Sequence, residues 1–449
     1  MTEDLLQRYA RPVPRYTSYP TAPHFHDGID NATYRKWLGE LPAGTPLSVY
    51  LHVPFCDRLC WFCGCHTKQV LRYDPIATYL PSVFREIATV ADALDGRGHL
   101  TAIHLGGGSP SMLKPDDILG LAASFREHFS VSDALEFSIE IDPNDMTEDR
   151  YDAFAAAGIT RISIGVQDFD PRVQAAINRI QTVEQTCAVV DGMRKRGVTS
   201  VNLDVLYGLP YQTVASVEAT IDQAIAMHPD RIALFGYAHV PWMKTHQKMI
   251  DETVLPGVAA RLEQSIAAAK RLIAAGYVAV GIDHFALPTD GLAAATSTGR
   301  LRRNFQGYTT DEAPALLGFG ASAIGSLPQG YVQNTVATGD YIRRMTETGL
   351  AVTRGIALSD EDRMRRWVIE RLMCDFAVSA VELRQAFGAA CSPVLEEMQY
   401  AAMLNTDGLV EFDGHRFAVT ERGRPYVRSI ASAFDTYFGT GTARHSIAV

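Results

Sequence analysis

The sequence lacks the features of several protein classes. It has no apolar run near the roughly eighteen residues that cross a membrane, and its first ten residues, MTEDLLQRYA, lack the basic-then-apolar order of a signal peptide. It has no positive excess: 41 basic and 51 acidic residues leave a net charge of −10, which argues against general attraction to nucleic acid or anionic lipid. It has no low-complexity segment. These absences predict a cytoplasmic globular protein, and its 449 residues suggest two or three domains.

Cysteine is scarce except in one place. Four of the seven cysteines lie within ten residues of one another: Cys56, Cys60, Cys63 and Cys65. The other three are scattered and are predicted to be buried structural thiols: Cys187, Cys374 and Cys391. In a reducing compartment, a tight cysteine cluster indicates metal binding or catalysis rather than a disulfide framework.

Short strand-like runs alternate with helical stretches from residue 47 onward. The predicted strands are 47–54, 101–108, 135–142, 161–169, 201–210, 231–239 and 277–285. The predicted helices are 75–94, 116–128, 147–157, 183–196, 213–227 and 256–275. This alternation predicts a parallel sheet with helical crossovers, as in a complete or partial barrel or in a doubly wound sheet.

The strands themselves alternate between apolar and polar residues. In the first, Leu47, Val49 and Leu51 share one face while polar or amphipathic side chains share the other. If the apolar faces pack on the helices, the polar faces point inward, whereas a closed barrel fills its interior with branched apolar side chains. We therefore predict an open barrel with a cavity for a large polar ligand. Three inward polar residues fall toward C-terminal strand ends, where barrel active sites lie: Glu140, Gln167 and Asp204.

Two regions flank the predicted barrel. Residues 1–46 contain PRYTSYPTAP and are predicted to form an arm, residues 47–349 the catalytic barrel and its extension, and residues 350–449 a mainly helical domain. Two short strands around Asp413-Gly414 make this last domain resemble a winged helix. Residues 355–449 hold ten arginines, no lysine and thirteen acidic residues, so a lid or packing role is favoured over DNA binding. The predicted fold class is α/β, with a partial (β/α)6-type open barrel resembling a TIM barrel.

The cysteine cluster follows the first predicted strand with the spacing C-x3-C-x2-C, and Cys65 lies one glycine further on. Three thiolates can hold three irons of a cubic iron–sulfur cluster and leave the fourth iron open, whereas complete protein ligation requires four. The alternative is a zinc site made by all four cysteines, with or without His66. Structural zinc sites usually draw ligand pairs from separate segments, and the sequence has no second pair.

At this loop the sequence resembles the radical S-adenosylmethionine (SAM) superfamily, whose signature is C-x3-C-x2-C. The longer form CDRLCWFCGC resembles the oxygen-independent coproporphyrinogen III oxidase branch. Further matching segments are PRYTSYPTA, HLGGGSPS, SIEIDP, IGVQDF, NLDVLYGLP, GYAHVP, GIDHFA, RNFQGYTT, LLGFGASAI and FDTYF. The alternative is a haem-binding chaperone on the same fold, which Cys65 and the tyrosine-rich arm disfavour.

The resemblance implies roles for individual residues. Cys56, Cys60 and Cys63 would ligate a [4Fe–4S] cluster whose remaining iron binds SAM. Four residues match positions that bind this first SAM: Tyr50, Gly107, Glu140 and Ile324. Seven match positions that line a second SAM: Phe62, Gly108, Ser109, Gln167, Arg179, Asp204 and Ala238. Ser109 replaces the threonine common in the family and keeps its hydroxyl. The expected catalytic set is Tyr50, Glu140, Gln167 and Asp204.

The implied reaction converts two propionates of coproporphyrinogen III to vinyl groups through a 5′-deoxyadenosyl radical, in haem biosynthesis. It also implies a flavodoxin- or ferredoxin-type electron donor, and we expect a monomer. The arginines proposed to meet the substrate carboxylates are Arg15, Arg300, Arg302 and Arg303. Cys65 is expected to lie near the site but outside the cluster, and His52 to support the site rather than act as a base.

Overall fold

The structure of the protein is a computed structural model that describes residues 3–439. The outermost residues of the predicted arm and C-terminal domain, 1–2 and 440–449, lie outside the described residues. The strands are β1 (Thr45–Val53), β2 (Phe55–Cys56), β3 (Lys68–Gln69), β4 (Gly98–Gly107), β5 (Ser130–Ile141), β6 (Arg161–Gln167), β7 (Ser200–Tyr207), β8 (Arg231–Gly236), β9 (Val278–Val280), β10 (His284–Ala286), β11 (Arg302–Asn304), β12 (Gly307–Thr309), β13 (Ala315–Phe319), β14 (Ile324–Leu327), β15 (Gly330–Asn334), β16 (Val352–Ala357), β17 (Ala377–Ser379), β18 (Val410–Phe412) and β19 (Arg416–Val419).

Helices connect most of these strands. They are α1 (Glu3–Tyr9), α2 (Asn31–Gly39), α3 (Asp74–Leu94), α4 (Pro115–His128), α5 (Glu148–Ala157), α6 (Pro171–Ala176), α7 (Val183–Arg194), α8 (Val214–Ala226), α9 (Val258–Ala274), α10 (Gly291–Thr298), α11 (Thr338–Thr348), α12 (Asp360–Asp375), α13 (Ala380–Phe387), α14 (Ser392–Leu404) and α15 (Val427–Ala431). Local sequence explains several of their starts: Thr182 and Thr213 each close a capping box, with Gln185 and Ser216 respectively. No helix within residues 3–439 is long and apolar enough to span a membrane.

One twelve-stranded sheet dominates the fold, in the order β16-β15-β14-β13-β1-β4-β5-β6-β7-β8-β10-β9. The six strands β1, β4, β5, β6, β7 and β8 are parallel neighbours in chain order, each linked to the next through at least one helix. This confirms the predicted six-unit α/β barrel. The barrel is open because the two ends of the strand order, β16 and β9, do not pair with each other.

The seventh predicted strand, 277–285, is wrong as a single parallel strand. The chain reverses there into the short strands β9 and β10, which pair antiparallel, and β10 also pairs antiparallel with β8. Gly281 lies in the turn between them with φ +56°, and a Cβ there would lie only 2.0 Å from the ring of Tyr308. Glycine therefore permits the chain reversal. The apolar residues on either side of Gly281 made the sequence look like one continuous strand.

The predicted phase of the barrel strands is confirmed. Leu47, Val49 and Leu51 belong to the main hydrophobic core with the apolar residues of the neighbouring strands. The opposite face lines a cavity of about 210 Å³ inside the barrel, which we call the barrel cavity. Its polar lining includes side chains from successive strands: Ser48, His104, Glu136, Ser138, Glu140, Arg161, Ser163, Asn202 and Asp204.

The arm and the C-terminal domain pack on each other. The two strands predicted around Asp413-Gly414 are β18 and β19, and a third strand that the sequence did not indicate, β17, completes a three-stranded antiparallel sheet beside α12–α14. Tyr16 and Tyr19 of the arm are buried in this domain's core, and the Tyr16 hydroxyl donates to Asp435 Oδ2 at 3.0 Å. The division into three domains at residues 46 and 349 remains a prediction.

A buried carboxylate joins α3 to the strands on one side of the barrel. Glu86 is 1% exposed, and it accepts hydrogen bonds from the Tyr341 hydroxyl at 2.6 Å, Asn334 Nδ2 at 2.7 Å and the Gly320 amide at 2.7 Å. Burial raises the pKa of Glu86 to about 7 although these hydrogen bonds oppose the shift. The carboxylate therefore keeps its proton to higher pH in the folded protein than in the unfolded chain.

This difference predicts a pH-dependent stability. Below about pH 4.5 both states are protonated. As the pH rises toward 7 the unfolded chain loses its proton first, so stability falls by up to about 3 kcal/mol. We expect the Glu86→Gln variant to lack this decrease, measured as the change in its urea-unfolding free energy relative to wild type between pH 5 and 8. Glu127→Gln, an exposed substitution on α4, is the control; equal pH slopes in wild type and Glu86→Gln would contradict the assignment.

Candidate active site

The cysteine loop begins where β1 ends, at the C-terminal mouth of the barrel. The amide of Gly108 donates to Val53 O at 2.8 Å, and the amide of Ser109 donates to Phe55 O at 2.7 Å. The short parallel pair β2–β3 then closes the loop on itself. The loop after β4 therefore holds the base of the cysteine loop through backbone hydrogen bonds.

A cavity of about 250 Å³ lies beside this loop, and we call it the cysteine cavity. It is lined by all four clustered cysteines and by eight other predicted site residues: Phe62, Gly107, Gly108, Ser109, Glu140, Gln167, Arg179 and Asp204. The fold thus brings together residues from five consecutive barrel units. Three predicted residues do not line this cavity: Tyr50, Ala238 and Ile324.

These three residues lie elsewhere. The Tyr50 hydroxyl is 3.0 Å from His52 Nδ1, and its ring stacks on that of His104 at the edge of the barrel interior. Ala238 follows β8 and lines a different cavity. Ile324 starts β14 and packs with the apolar cluster around Tyr331.

A segment that the sequence did not indicate covers the cysteine loop from the outside. Lys244 Nζ donates to Cys65 O at 2.9 Å, and His246 Nε2 donates to Cys63 O at 2.7 Å. Gln247 Nε2 donates to Phe62 O at 2.9 Å. All three contacts are made to backbone carbonyls, so they do not occupy the side chains of Cys65, Cys63 or Phe62. No spacing signal in the sequence could have linked residues 244–247 to a loop almost two hundred positions away.

The cysteine thiols differ in their proton affinity. Burial raises the pKa of Cys56 and of Cys60. The pKa of Cys63 is lowered to about 7, first by its hydrogen bond with the Cys65 thiol and further by the charges of Lys244 and Arg179. Lys244 and Arg179 therefore favour the thiolate of Cys63, the form that metal ligation requires.

Arg179 lies fully within the protein beside this loop. Its Nη1 is 3.1 Å from Asp142 Oδ2 and 3.7 Å from Cys60 Sγ, and its Nη2 donates to Gly165 O at 2.7 Å. The pKa of Asp142 is lowered because the charges of Arg179 and Arg58 outweigh the effect of burial. Asp142 was not among the predicted residues, although it ends the strand run that contains Glu140.

Two carboxylates line the cysteine cavity, Glu140 on β5 and Asp204 on β7, and their pKa values are shifted in opposite directions. Glu140 accepts from His104 Nε2 at 3.2 Å and from the Gly107 amide at 3.1 Å, and these contacts lower its pKa although burial raises it. Burial and the charge of Glu140 raise the pKa of Asp204, which accepts from Ser163 and Asn202. His104 was missed by the sequence interpretation, but it follows from the same strand alternation that indicated Glu140.

Gly107, which ends β4, and Gly108, which follows it, are required by packing within the protein. A Cβ on Gly107, whose φ is +110°, would lie 2.4 Å from His52 Nδ1, and a Cβ on Gly108 would lie 2.4 Å from Phe55 O. The family resemblance implied that Gly107 and Gly108 bind SAM. Contact with His52 and with the cysteine loop accounts for both glycines without a ligand, so their role in cofactor binding remains a prediction.

The cysteine loop fits an iron–sulfur cluster better than a single metal ion. Within residues 3–439, no group of three or more His, Cys, Asp or Glu side chains converges as one metal ion requires. A cubic cluster is bound at separate irons, so its cysteine ligands need not converge. Three free thiols around one cavity, with basic groups beside them, form a donor set suited to such a cluster.

Two protein-family models match parts of the chain. A family model described as the radical SAM superfamily matches residues 50–224, and one described as the HemN C-terminal domain matches residues 358–426. Together with the open barrel and its cysteine loop, the first match makes the protein a radical SAM protein. This family implies a [4Fe–4S] cluster and SAM as cofactors.

Full-length comparisons then give the particular family. The chain is 49% identical to the oxygen-independent coproporphyrinogen III oxidase of Bradyrhizobium diazoefficiens over 100% of both chains. It is 44% identical to the Paracoccus denitrificans protein of the same name, over 97% of this chain and 96% of that one. The solved structure of the radical SAM enzyme coproporphyrinogen III oxidase (HemN) from Escherichia coli superposes with a TM-score of 0.91 at 37% identity, covering 95% of this chain and 100% of that chain. The chain therefore belongs to the oxygen-independent coproporphyrinogen III oxidase family.

Proposed function

We propose that this protein is an oxidoreductase that converts two propionate side chains of coproporphyrinogen III to vinyl groups without oxygen. The products would be protoporphyrinogen IX and two molecules of carbon dioxide, as a step of haem biosynthesis. Each conversion would use one SAM and one electron from the donor, release methionine and 5′-deoxyadenosine, and pass one electron from the substrate to an acceptor. The observation that carries the proposal is likeness to oxidases of this name over the whole chain, including the C-terminal domain and the arm. These relatives favour the oxidase over the haem-binding chaperone considered from the sequence.

Cys56, Cys60 and Cys63 would hold the cluster. When bound, a [4Fe–4S] cluster and SAM supply the abstraction of a hydrogen atom from an unactivated carbon. No side-chain base can achieve this step. The protein's own part is to position the reactants and exclude side reactions. The hydrogen bonds from Lys244, His246 and Gln247 would keep the cysteine loop in place during turnover.

Glu140 would serve SAM as a hydrogen-bond acceptor. Its pKa is lowered, so it is ionised at neutral pH and suits an ammonium group or a ribose hydroxyl. We propose Tyr50, Gly107 and Ile324 as further contacts of this SAM; Tyr50 and Ile324 lie outside the cysteine cavity's lining and would act from its edges. Tyr50, Glu140, Gln167 and Asp204 remain the proposed catalytic set.

A second SAM would serve the second decarboxylation. The proposed contacts are Phe62, Gly108, Ser109, Gln167, Arg179, Asp204 and Ala238. All except Ala238 line the cysteine cavity, which supports a common site. Arg179 already pairs with Asp142, so we expect it to keep the site ordered. We also expect its guanidinium to attract the carboxylate of the second SAM.

Three further proposals come from the sequence. The electron donor would be a flavodoxin- or ferredoxin-type protein, the oxidase would act as a monomer, and it would act in the cytoplasm.

Anaerobic turnover tests the function. Purified protein is incubated without oxygen with coproporphyrinogen III, SAM and a chemical reductant, and the vinyl product, 5′-deoxyadenosine and carbon dioxide are quantified. We expect one 5′-deoxyadenosine per carbon dioxide. Haem binding without vinyl product would favour the chaperone, and protein that contains zinc without sulfide would exclude the radical chemistry.

A further inference from the structure

A cavity of about 350 Å³ lies where three distant parts of the chain meet. The arm contributes Arg15, the region after the barrel contributes Arg261 on α9 and Arg303 on β11, and the C-terminal domain contributes Arg424 and Arg428. We call it the arginine cavity. None of the clustered cysteines lines it.

Its lining is strongly unbalanced in charge. Among the residues whose side chains the structure describes, five arginines and one carboxylate, Asp283, line it. Asp283 is already 2.7 Å from His284 Nδ1, and Arg303 Nη1 lies 3.9 Å from it. Arg424 pairs with Glu421 at 2.8 Å. In a chain of net charge −10, such a concentration of guanidinium groups around one cavity is costly unless an anion compensates it.

Several of these guanidinium groups have unused hydrogen-bonding capacity. Arg261 Nη2 donates to Tyr237 O at 2.7 Å, but its buried Nε has no hydrogen-bond partner among the side chains and backbone that the structure describes. Arg303 is 5% exposed in its side chain, and its Nε and Nη1 also lack hydrogen-bond partners in that part of the chain. Arg15 donates to Gly236 O at 3.2 Å. A planar guanidinium with free donors suits bidentate pairing with a carboxylate.

The electrostatics agree with this geometry. The charges of Tyr308 and Asp283 raise the pKa of Arg303 although burial opposes the shift. Burial is the first cause that lowers the pKa of Arg261 and of Arg428, the last to about 9. Neighbouring arginines lower these pKa values further, because each positive charge disfavours the next. A bound anion would relieve this repulsion.

Much of the remaining lining is apolar and aromatic. Tyr207, Phe235, Phe285 and Phe376 line the arginine cavity. Phe235 also lines the barrel cavity, which shares Glu140, Ser163 and Asp204 with the cysteine cavity. An apolar tetrapyrrole with carboxylates around its rim therefore fits a path from the arginines to the cysteine loop.

We propose that the arginine cavity binds the propionates of the tetrapyrrole that do not react, through Arg261, Arg303, Arg15 and Arg428. This inference rests on the proposed function. Two of the four propionates survive the reaction and must be held while another propionate reaches the cysteine cavity, which contains none of these arginines. The arginines are therefore positioning residues. Of the two that carry unpartnered donors, Arg303 was already a candidate from the sequence, and Arg261 was identified by the fold.

Equilibrium binding separates this proposal from the proposed function. The probe is coproporphyrin III, the oxidised and stable tetracarboxylate, titrated into the anaerobic holoenzyme and followed by fluorescence; its tetramethyl ester, which has no carboxylate, is the matched probe. We expect Arg261→Gln and Arg303→Gln to weaken coproporphyrin binding about tenfold to a hundredfold, as expected for charge-assisted hydrogen bonds. They should leave binding of the ester unchanged, raise KM for coproporphyrinogen III to a similar extent, and keep kcat within about threefold.

Two controls make the result specific. Arg422→Gln removes an exposed arginine in the same domain, outside the cavity lining, and should leave both probes unaffected. Arg261→Lys keeps the charge and should recover part of the affinity, which excludes misfolding as the cause. If wild type turns over substrate but both glutamine variants keep wild-type binding and KM, the arginine cavity is not the carboxylate site. If wild type fails to turn over while the variants still lose coproporphyrin binding, the proposed function is wrong and the anion site stands.

Discussion

Each of the three single substitutions Cys56→Ser, Cys60→Ser and Cys63→Ser should abolish SAM cleavage and vinyl formation while leaving the protein folded. The three thiols line one cavity and come from a loop held by backbone hydrogen bonds that do not involve their side chains. Each substitution removes a sulfur without filling or emptying the apolar core. The measurement is iron and sulfide content of anaerobically purified protein, together with 5′-deoxyadenosine formed in the presence of reductant.

Cys65→Ser is the matched control for this prediction. Cys65 lies in the same loop and its amide is 3.4 Å from Cys63 Sγ, but three ligands already suffice for a cluster with one open iron. We expect Cys65→Ser to keep its iron and its characteristic absorbance. A loss of iron equal to that of the other three variants would show that the ligand set is misassigned.

Arg179→Gln should cost about 3–5 kcal/mol of unfolding free energy, because it leaves the Asp142 carboxylate buried without its partner. Asp142→Asn should cost a similar amount for the converse reason. The double variant should lose less than the sum of the two, since neither charge is then left alone. Urea titrations of the four proteins measure this cycle.

The same substitution should also affect the cysteine loop. Arg179 Nη1 is 3.7 Å from Cys60 Sγ, so its loss removes a charge that favours the thiolate, and we expect lower cluster occupancy in Arg179→Gln. Arg196→Gln is the control, because Arg196 pairs with Glu148 and Asp152 at the exposed surface and should leave both stability and iron content nearly unchanged. Strictly additive effects of Arg179→Gln and Asp142→Asn would show that the pair is not coupled.

Much of the barrel could be predicted because its signals are local. The helix predicted over 183–196 is α7 (Val183–Arg194), and that over 75–94 is α3 (Asp74–Leu94). Apolar-polar alternation within single strands indicated the inward face, and with it Glu140 and Asp204. The single strand predicted over 277–285 is wrong because one glycine with positive φ reverses the chain there, and apolar periodicity does not register a turn inside an apolar run.

The residues of the active site likewise fall into those that local sequence signals predicted and those that only the tertiary structure revealed. The spacing C-x3-C-x2-C lies within one loop, so the amino-acid sequence by itself determined which thiols can act together, and strand periodicity determined that polar side chains face a common interior. Only the tertiary structure decided that Asp142 neutralises Arg179, that residues 244–247 cover the cysteine loop, and that arginines from the arm, α9, β11 and α15 surround one cavity. The physical reason is that these contacts join residues from tens to hundreds of positions apart. Charge pairing and burial depend on distance in space, which no local pattern encodes.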